Sequence, residues 1–117
     1  MEMVTDFHSH ILPGIDDGSR SVEESIRLLR LEAEQGIRHV VATPHFYARH
    51  DTPERFLKRR AESAALLREK MGMHPELPDV TLGAEVYYYP GISHSDAISE
   101  LTIGSQRCIL IEMPLAP

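Results

Sequence analysis

The segment DFHSHILPGIDDG places His8 and His10 one residue apart, with Asp16 and Asp17 a short way on. In extended chain, residues i and i+2 point to the same side, so both imidazoles can address one ion. Alone the pattern is common; its weight comes from recurrence. His45 follows VVATP, Glu85 lies in LGAEV and Glu112 in LIEMP, each late in or just after an apolar run. Parallel α/β barrels gather reactive groups at the carboxyl ends of their strands, and these positions obey that rule. An unpaired carboxylate in a buried strand costs several kcal/mol, so Glu85 and Glu112 need a metal or a cationic partner such as Arg38 or Arg107. The adjacent histidines favour metal. Asp16 is read as a cap of the GIDDG turn, whereas Asp17, beside His8 and His10, is a candidate carboxylate ligand. Imidazole and carboxylate donors without a thiolate suit Mn, Fe or Zn, and several carboxylates in one site call for more than one ion.

Four short apolar runs alternate with three helix-like segments, the rhythm of parallel strands joined by crossover helices and hence of an α/β fold. The first strand is expected at about Met3 to Phe7. Ser21 with Glu24 reads as a capping box opening a helix with Val22, Ile26, Leu29 and Ala33 on one face and Gly36 at its end. RHVVAT is the second strand. Thr52 and Pro53 start a second helix whose inward stripe is Leu57, Ala61, Ala64, Leu67 and Met71, stopped by Gly72. VTLGAEVYYY is the third strand, Ser95 to Leu101 a short helix, and RCILIEMP the fourth strand. Four parallel strands cannot close a barrel, and an open apolar edge invites self-association.

The remaining signals are weaker. His39 begins a strand at the end away from the site and reads as structural; His50 and His74 lie in polar connectors. His94 is a minor candidate for touching a ligand. One or two rings of Tyr87 to Tyr89 are expected in core or rim packing. LKRRAESAALLREK reads as a solvated helix face, and Arg20 and Arg49 stand close enough to the proposed ligands to meet a phosphate.

The chain has 117 residues, one domain's worth, with 42% hydrophobic and 26% charged residues, an ordinary globular balance. Twelve basic against eighteen acidic residues give a net charge of −6, which argues against general affinity for nucleic acid or anionic lipid. No run reaches the roughly 18 apolar residues of a membrane span, and no export signal is evident. The lone Cys108, in the run CILIEMP, is expected to be a buried core thiol, in keeping with a reducing cytoplasm.

Taken in order and spacing, DFHSHILPGIDDGSRSVEESI, VVATPHF, LGAEVYY and ILIEMP resemble the PHP superfamily, named for polymerase and histidinol phosphatase. The branch most similar comprises manganese-dependent protein-tyrosine phosphatases of bacterial capsule and exopolysaccharide loci. The resemblance covers essentially the whole chain. It implies a distorted (β/α)7 barrel with up to three metal ions, of which residues 1–117, as one domain, supply the amino-terminal half, about the first four strands and three helices. On the matching positions it implies His8 and His10 at a first metal site, Glu85 as a bridging carboxylate, Glu112 at a second site, and Asp17 with His45 at a third. Manganese is the implied ion, with Fe or Zn as alternatives. The implied substrate is phosphotyrosine on a bacterial tyrosine kinase that regulates polysaccharide synthesis. A metal-bound water near its pKa supplies the nucleophile in such chemistry, and no cysteine is needed. Family members run to roughly twice this length, and their later part supplies a further histidine and an Asp-x-His pair. Here His94 is the last histidine. The chain is therefore expected to be a fragment, or a truncated product completing its barrel by association, or a metal-binding or oligomerisation module without turnover. Among enzymes of the superfamily the rival is a phosphoesterase acting on a small phosphate such as histidinol phosphate.

Overall fold

The computed structural model describes residues 4–114. The first strand, β1, runs Val4–Ser9; Met3, expected within it, lies outside the described residues. Helix α1, Val22–Glu34, opens on Ser21, whose hydroxyl accepts from the Glu24 backbone N–H at 3.1 Å, one half of the expected capping box. Gly36 follows at φ +86°, a left-handed conformation that turns the chain into β2, Ile37–Ala42. Then come β3 (His45–Phe46), α2 (Pro53–Met71), β4 (Asp79–Leu82), β5 (Glu85–Tyr87) and β6 (Leu110–Glu112).

All strand pairings are parallel, in two three-stranded sheets ordered β1-β2-β4 and β3-β5-β6. The expected four strands become six because two of the extended stretches bend. Thr43 and Pro44 separate β2 from β3, since proline has no N–H to give a ladder, and Gly83 and Ala84 separate β4 from β5. Pairing still crosses both bends: Gly83 N donates to Ala42 O at 2.8 Å and Glu85 N to Pro44 O at 2.9 Å. The chain thus turns a corner without losing its alignment, and the second sheet carries His45, Glu85 and Glu112 forward from the first.

Two apolar clusters hold this frame. One joins Ile11, Leu12, Ile26, Leu29, Val40, Ala42, Ala64, Leu67 and Leu77; the other joins Phe46, Phe56, Ala84, Val86, Ile92 and Leu101. Phe46 and Phe56 meet edge to face with centroids 5.3 Å apart, a favoured aromatic geometry. That contact sets the rotation of α2. Phe56, Ser63, Ala64 and Leu67 are its buried residues and Ala61 is exposed, so the expected stripe is corrected at its start: a phenyl ring has far more apolar surface to remove from water than an alanine methyl. The second helix is also less purely solvated than its charges suggest. The Arg60 guanidinium stands 5.6 Å from the centre of the Phe56 ring and donates to Gly83 O at 2.8 Å, and Ser63 donates to Pro13 O at 2.8 Å.

The short helix expected at Ser95 to Leu101 is a 3-10 helix, Asp96–Glu100, preceded by another at Ile92–His94. Leu101 N reaches back three residues to Ile98 O at 3.1 Å, as expected of a segment too short to recover the cost of helix nucleation. Cys108 is exposed rather than buried. It precedes β6, whose Ile111 is itself exposed because β6 is an edge of its sheet. No helix among the described residues is long and apolar enough to cross a membrane.

Candidate metal centre

Ser9 fixes the end of β1. Its hydroxyl donates to Val41 O at 2.7 Å, its N–H donates to Thr43 Oγ1 at 3.1 Å, and its carbonyl accepts from Thr43 N at 2.8 Å. With Ser9 buried against β2, the residues on either side face the other way, and the imidazoles of His8 and His10 approach with Nε2 atoms 3.2 Å apart. His8 Nε2 contacts Glu85 Oε1, which also lies 3.1 Å from His10 Nε2. The register of β3 with β5 sets His45 beside Glu85, and that of β5 with β6 sets Tyr87 beside Glu112. His45 Nδ1 lies 3.3 Å from Glu85 Oε2 and 3.7 Å from Glu112 Oε2.

The GIDDG loop closes the remaining side. Asp16 makes the turn, accepting from Gly18 N at 2.9 Å, and its other oxygen lies 3.0 Å from His10 Nδ1 and accepts from His45 N at 3.1 Å. Gly18 is required by close approach: a Cβ there would stand 2.3 Å from the His10 carbonyl oxygen. Ser19 and Ser25, buried and 2.6 Å apart through their hydroxyls, tie the loop to α1. Asp17 points outward, 87% exposed, with Oδ1 3.5 Å from His45 Nε2.

Of the six residues singled out from sequence, His8, His10, His45, Glu85 and Glu112 converge, and Asp17 stands at the rim. Asp16, which sequence reasoning assigned to the turn alone, is both turn cap and inward carboxylate. No signal in the sequence separates two adjacent aspartates; the packing of Gly18 on His10 decides which one turns in. His94 is exposed in its 3-10 turn, and His39 pairs with Asp79 at 3.5 Å on the first sheet. Neither Arg38 nor Arg107 pairs with Glu85 or Glu112, whose neighbours are the histidines.

Three sets of side chains have donor atoms close enough to share an ion: His8, His10 and Glu85; His10, Asp16 and His45; His45, Glu85 and Glu112. The donor set fits a divalent cation on a further ground. His45 Nδ1 and Glu112 Oε2 are buried and have no hydrogen-bond partner, an arrangement that an ion between them would resolve. Burial works to raise the Glu85 carboxyl, but hydrogen bonds with His8 and Glu112 and the charges of His45 and His8 hold it below the ordinary range. Glu112 moves the other way, raised by desolvation and by its bond to Glu85.

A cavity of about 580 Å³ opens from this cluster, lined by Asp16, Asp17, His45, Tyr47, Arg55 and Arg59 among others. Asp51 pairs with Arg59 at 2.7 Å and with Arg55 at 3.4 Å along its far wall.

Comparison with known proteins places this geometry in a lineage. Residues 4–116 match the family described as capsular polysaccharide synthesis, CpsB/CapC. The tyrosine-protein phosphatase YwqE of Bacillus subtilis (strain 168) is 33% identical over 113 residues, 93% of this chain and 42% of the relative. The tyrosine-protein phosphatase CpsB of Streptococcus pneumoniae is 35% identical over 120 residues, 94% of this chain and 45% of the relative. A solved structure from work on these same two proteins, described as unique metal-dependent tyrosine phosphatases, superposes with a TM-score of 0.77 at 30% identity, covering 95% of this chain and 44% of the other. The chain spans less than half the length of the relatives it matches. Matched along nearly all its residues, and sharing the parallel α/β architecture of that solved structure, the chain belongs to the CpsB/CapC capsular polysaccharide synthesis family.

Proposed function

We propose that this chain supplies the metal-binding half of a metal-dependent protein-tyrosine phosphatase, acting on phosphotyrosine of a bacterial tyrosine kinase that regulates capsular or exopolysaccharide synthesis in the cytoplasm. The observation that carries the reading is convergence. Imidazoles and carboxylates meet from the ends of β1 and β6, from the loop after β1, and from the first residues of β3 and β5, just past the bends that follow β2 and β4, in a chain whose relatives are named tyrosine-protein phosphatases.

His8, His10, Asp16, His45, Glu85 and Glu112 would hold the ions, with Asp17 at the rim of the same site. Divalent ions, most simply manganese, supply Lewis acidity and lower the pKa of water when bound. The chain's own residues do the positioning. The kink at Pro44 and Gly83 sets His45 and Glu85 side by side, the Ser9 and Thr43 hydroxyls fasten the chain between His8 and His10 to β2, and Asp16 of the GIDDG loop faces His10. In the fold this reading implies, a distorted (β/α)7 barrel of PHP type, residues 1–117 would form one domain and supply about the first four strands, β2 with β3 and β4 with β5 each counting as one bent strand. The open edges at β1 and β6 would be closed by further barrel strands or by a second copy of the chain.

The test is phosphate release from a phosphotyrosine peptide by the purified chain with added manganese, with native mass and metal content measured on the same sample. Turnover that disappears in His10→Ala and Glu85→Ala supports the reading. A metal-free monomer without turnover counts for the alternative, a metal-binding or oligomerisation module that does not catalyse. Faster release from a small ester such as histidinol phosphate than from the peptide would move the assignment to another phosphoesterase of the superfamily.

A further inference from the structure

The chain contains four tyrosines and no tryptophan, and all four, Tyr47, Tyr87, Tyr88 and Tyr89, line a single cavity together with Arg49 and Pro90. At about 240 Å³ it is smaller than the roughly 300–1,000 Å³ of pockets that take drug-sized molecules, and of a size for one ring. It adjoins the metal centre through Tyr47. Tyr47 stacks on His45 with centroids 5.3 Å apart and planes 18° from parallel, and Tyr87 stands 5.7 Å from Tyr47. The Tyr88 N–H donates to the carbonyl oxygen of Glu112 at 3.0 Å, so the tyrosine run is fastened to the strand that bears the second carboxylate. A tight turn, in which His50 N donates to Tyr47 O at 3.0 Å, brings Arg49 to the same cavity.

Clustered rings are usually explained by core packing, and Tyr89 does pack against the second apolar cluster as expected, but the others are not accounted for that way. Tyr47 is 38% and Tyr88 42% exposed, and none of the four belongs to the buried members of either apolar cluster. They line an open slot whose Tyr47 stacks on His45.

We propose that this slot is the aryl subsite of the centre: it receives the phenyl ring of an aromatic phosphomonoester, with the phosphate directed toward His45 and Glu112. The inference rests on the phosphatase reading and adds to it the residues that select an aromatic over an aliphatic ester. Tyr47 and Tyr87 give the ring offset or edge contacts, and Arg49 supplies a cation at the mouth for the peptide or the phosphate.

The test uses the 117-residue chain with added manganese and a fluorescein-labelled phosphotyrosine peptide followed by anisotropy, with phenyl phosphate and glycerol phosphate as competitors. Both competitors carry the same phosphate group, so the difference between them reads the ring. Phenyl phosphate is expected to displace the peptide at about tenfold lower concentration. Tyr47→Phe keeps that preference, whereas Tyr47→Leu and Tyr88→Leu each reduce it to about twofold or less. Tyr88 is half exposed, so its replacement leaves a folded protein to measure. Equal competition by the two esters, or a preference untouched in both leucine variants, overturns the slot and leaves the phosphatase reading standing. An aryl preference without phosphate release from the peptide keeps the slot and overturns the phosphatase reading. Absence of peptide binding overturns both.

Discussion

His45 and Glu85 are cross-strand neighbours in the β3 and β5 ladder, and their side chains approach with Nδ1 3.3 Å from Oε2 without a hydrogen bond between them. Two groups so placed and left unbonded point to a third participant. Glu85→Gln keeps the size of the side chain and removes its charge, and is expected to weaken manganese binding by at least about tenfold. Calorimetric titration of the two proteins with manganese measures it; unchanged affinity would remove Glu85 from the ion's surroundings.

The two aspartates of the loop should separate cleanly. Asp16 accepts from Gly18 N and His45 N and faces His10, while Asp17 is 87% exposed. Asp16→Asn is expected to lower metal affinity by about tenfold or more and to destabilise the fold by about 1–3 kcal/mol, since a loop donor or acceptor loses its match. Asp17→Asn is expected to stay within about 0.5 kcal/mol of the parent in stability. Urea melts and metal titrations of both variants decide between them, and the reverse order would reinstate Asp17 as the inward ligand.

A second acidic pair makes stability fall with rising pH. Burial, together with the hydrogen bond and charge of Asp6, pushes the Glu32 carboxyl up from 4.5 to about 7, and its Oε2 is buried without a partner. Between those two values the folded chain holds a proton that the unfolded chain has released, so stability is fully present below about 4.5 and declines toward and beyond 7. Glu32→Gln replaces the protonated carboxyl with an amide that donates to Asp6 at any pH. It is expected to stabilise by about 1–3 kcal/mol at pH 8 and little at pH 5. Denaturant midpoints at the two pH values provide the check; a parent that grows more stable from pH 5 to pH 8 by the Glu32-dependent part contradicts it.

Phe56 is fully buried and meets Phe46 edge to face. Phe56→Ala is expected to cost about 3–5 kcal/mol, against about 0.5 kcal/mol or less for replacing the exposed Leu66 ten residues later on α2. Thermal or urea unfolding of the two variants measures the contrast.

Much of the frame was legible because it depends on local rules. Caps at Ser21 and Thr52, a proline at the first helical position and β-branched runs each announce an element from its own residues, and strand ends announce where His8, His10, His45, Glu85 and Glu112 gather. What escaped depends on contacts distant in sequence. The break of two strands at Pro44 and Gly83 is visible only once their ladders are aligned. Ala61 satisfies helical periodicity as well as Phe56 does, until Phe46 is there to receive a ring. Cys108 sits in an apolar run, but exposure is set by its place before an edge strand. Asp16 and Asp17 are chemically identical, and only the contact between Gly18 and His10 tells them apart.

One helix belongs to both apolar clusters. Phe56, near the start of α2, packs with Phe46 and Val86, and Leu67, three turns on, packs with Leu29 and Val40. Packing beneath the sheet that carries His45 and Glu85 is therefore tied, through this one rod, to packing beneath the strand that carries His8. A cation that bound only the assembled site would by mass action stabilise both clusters at once.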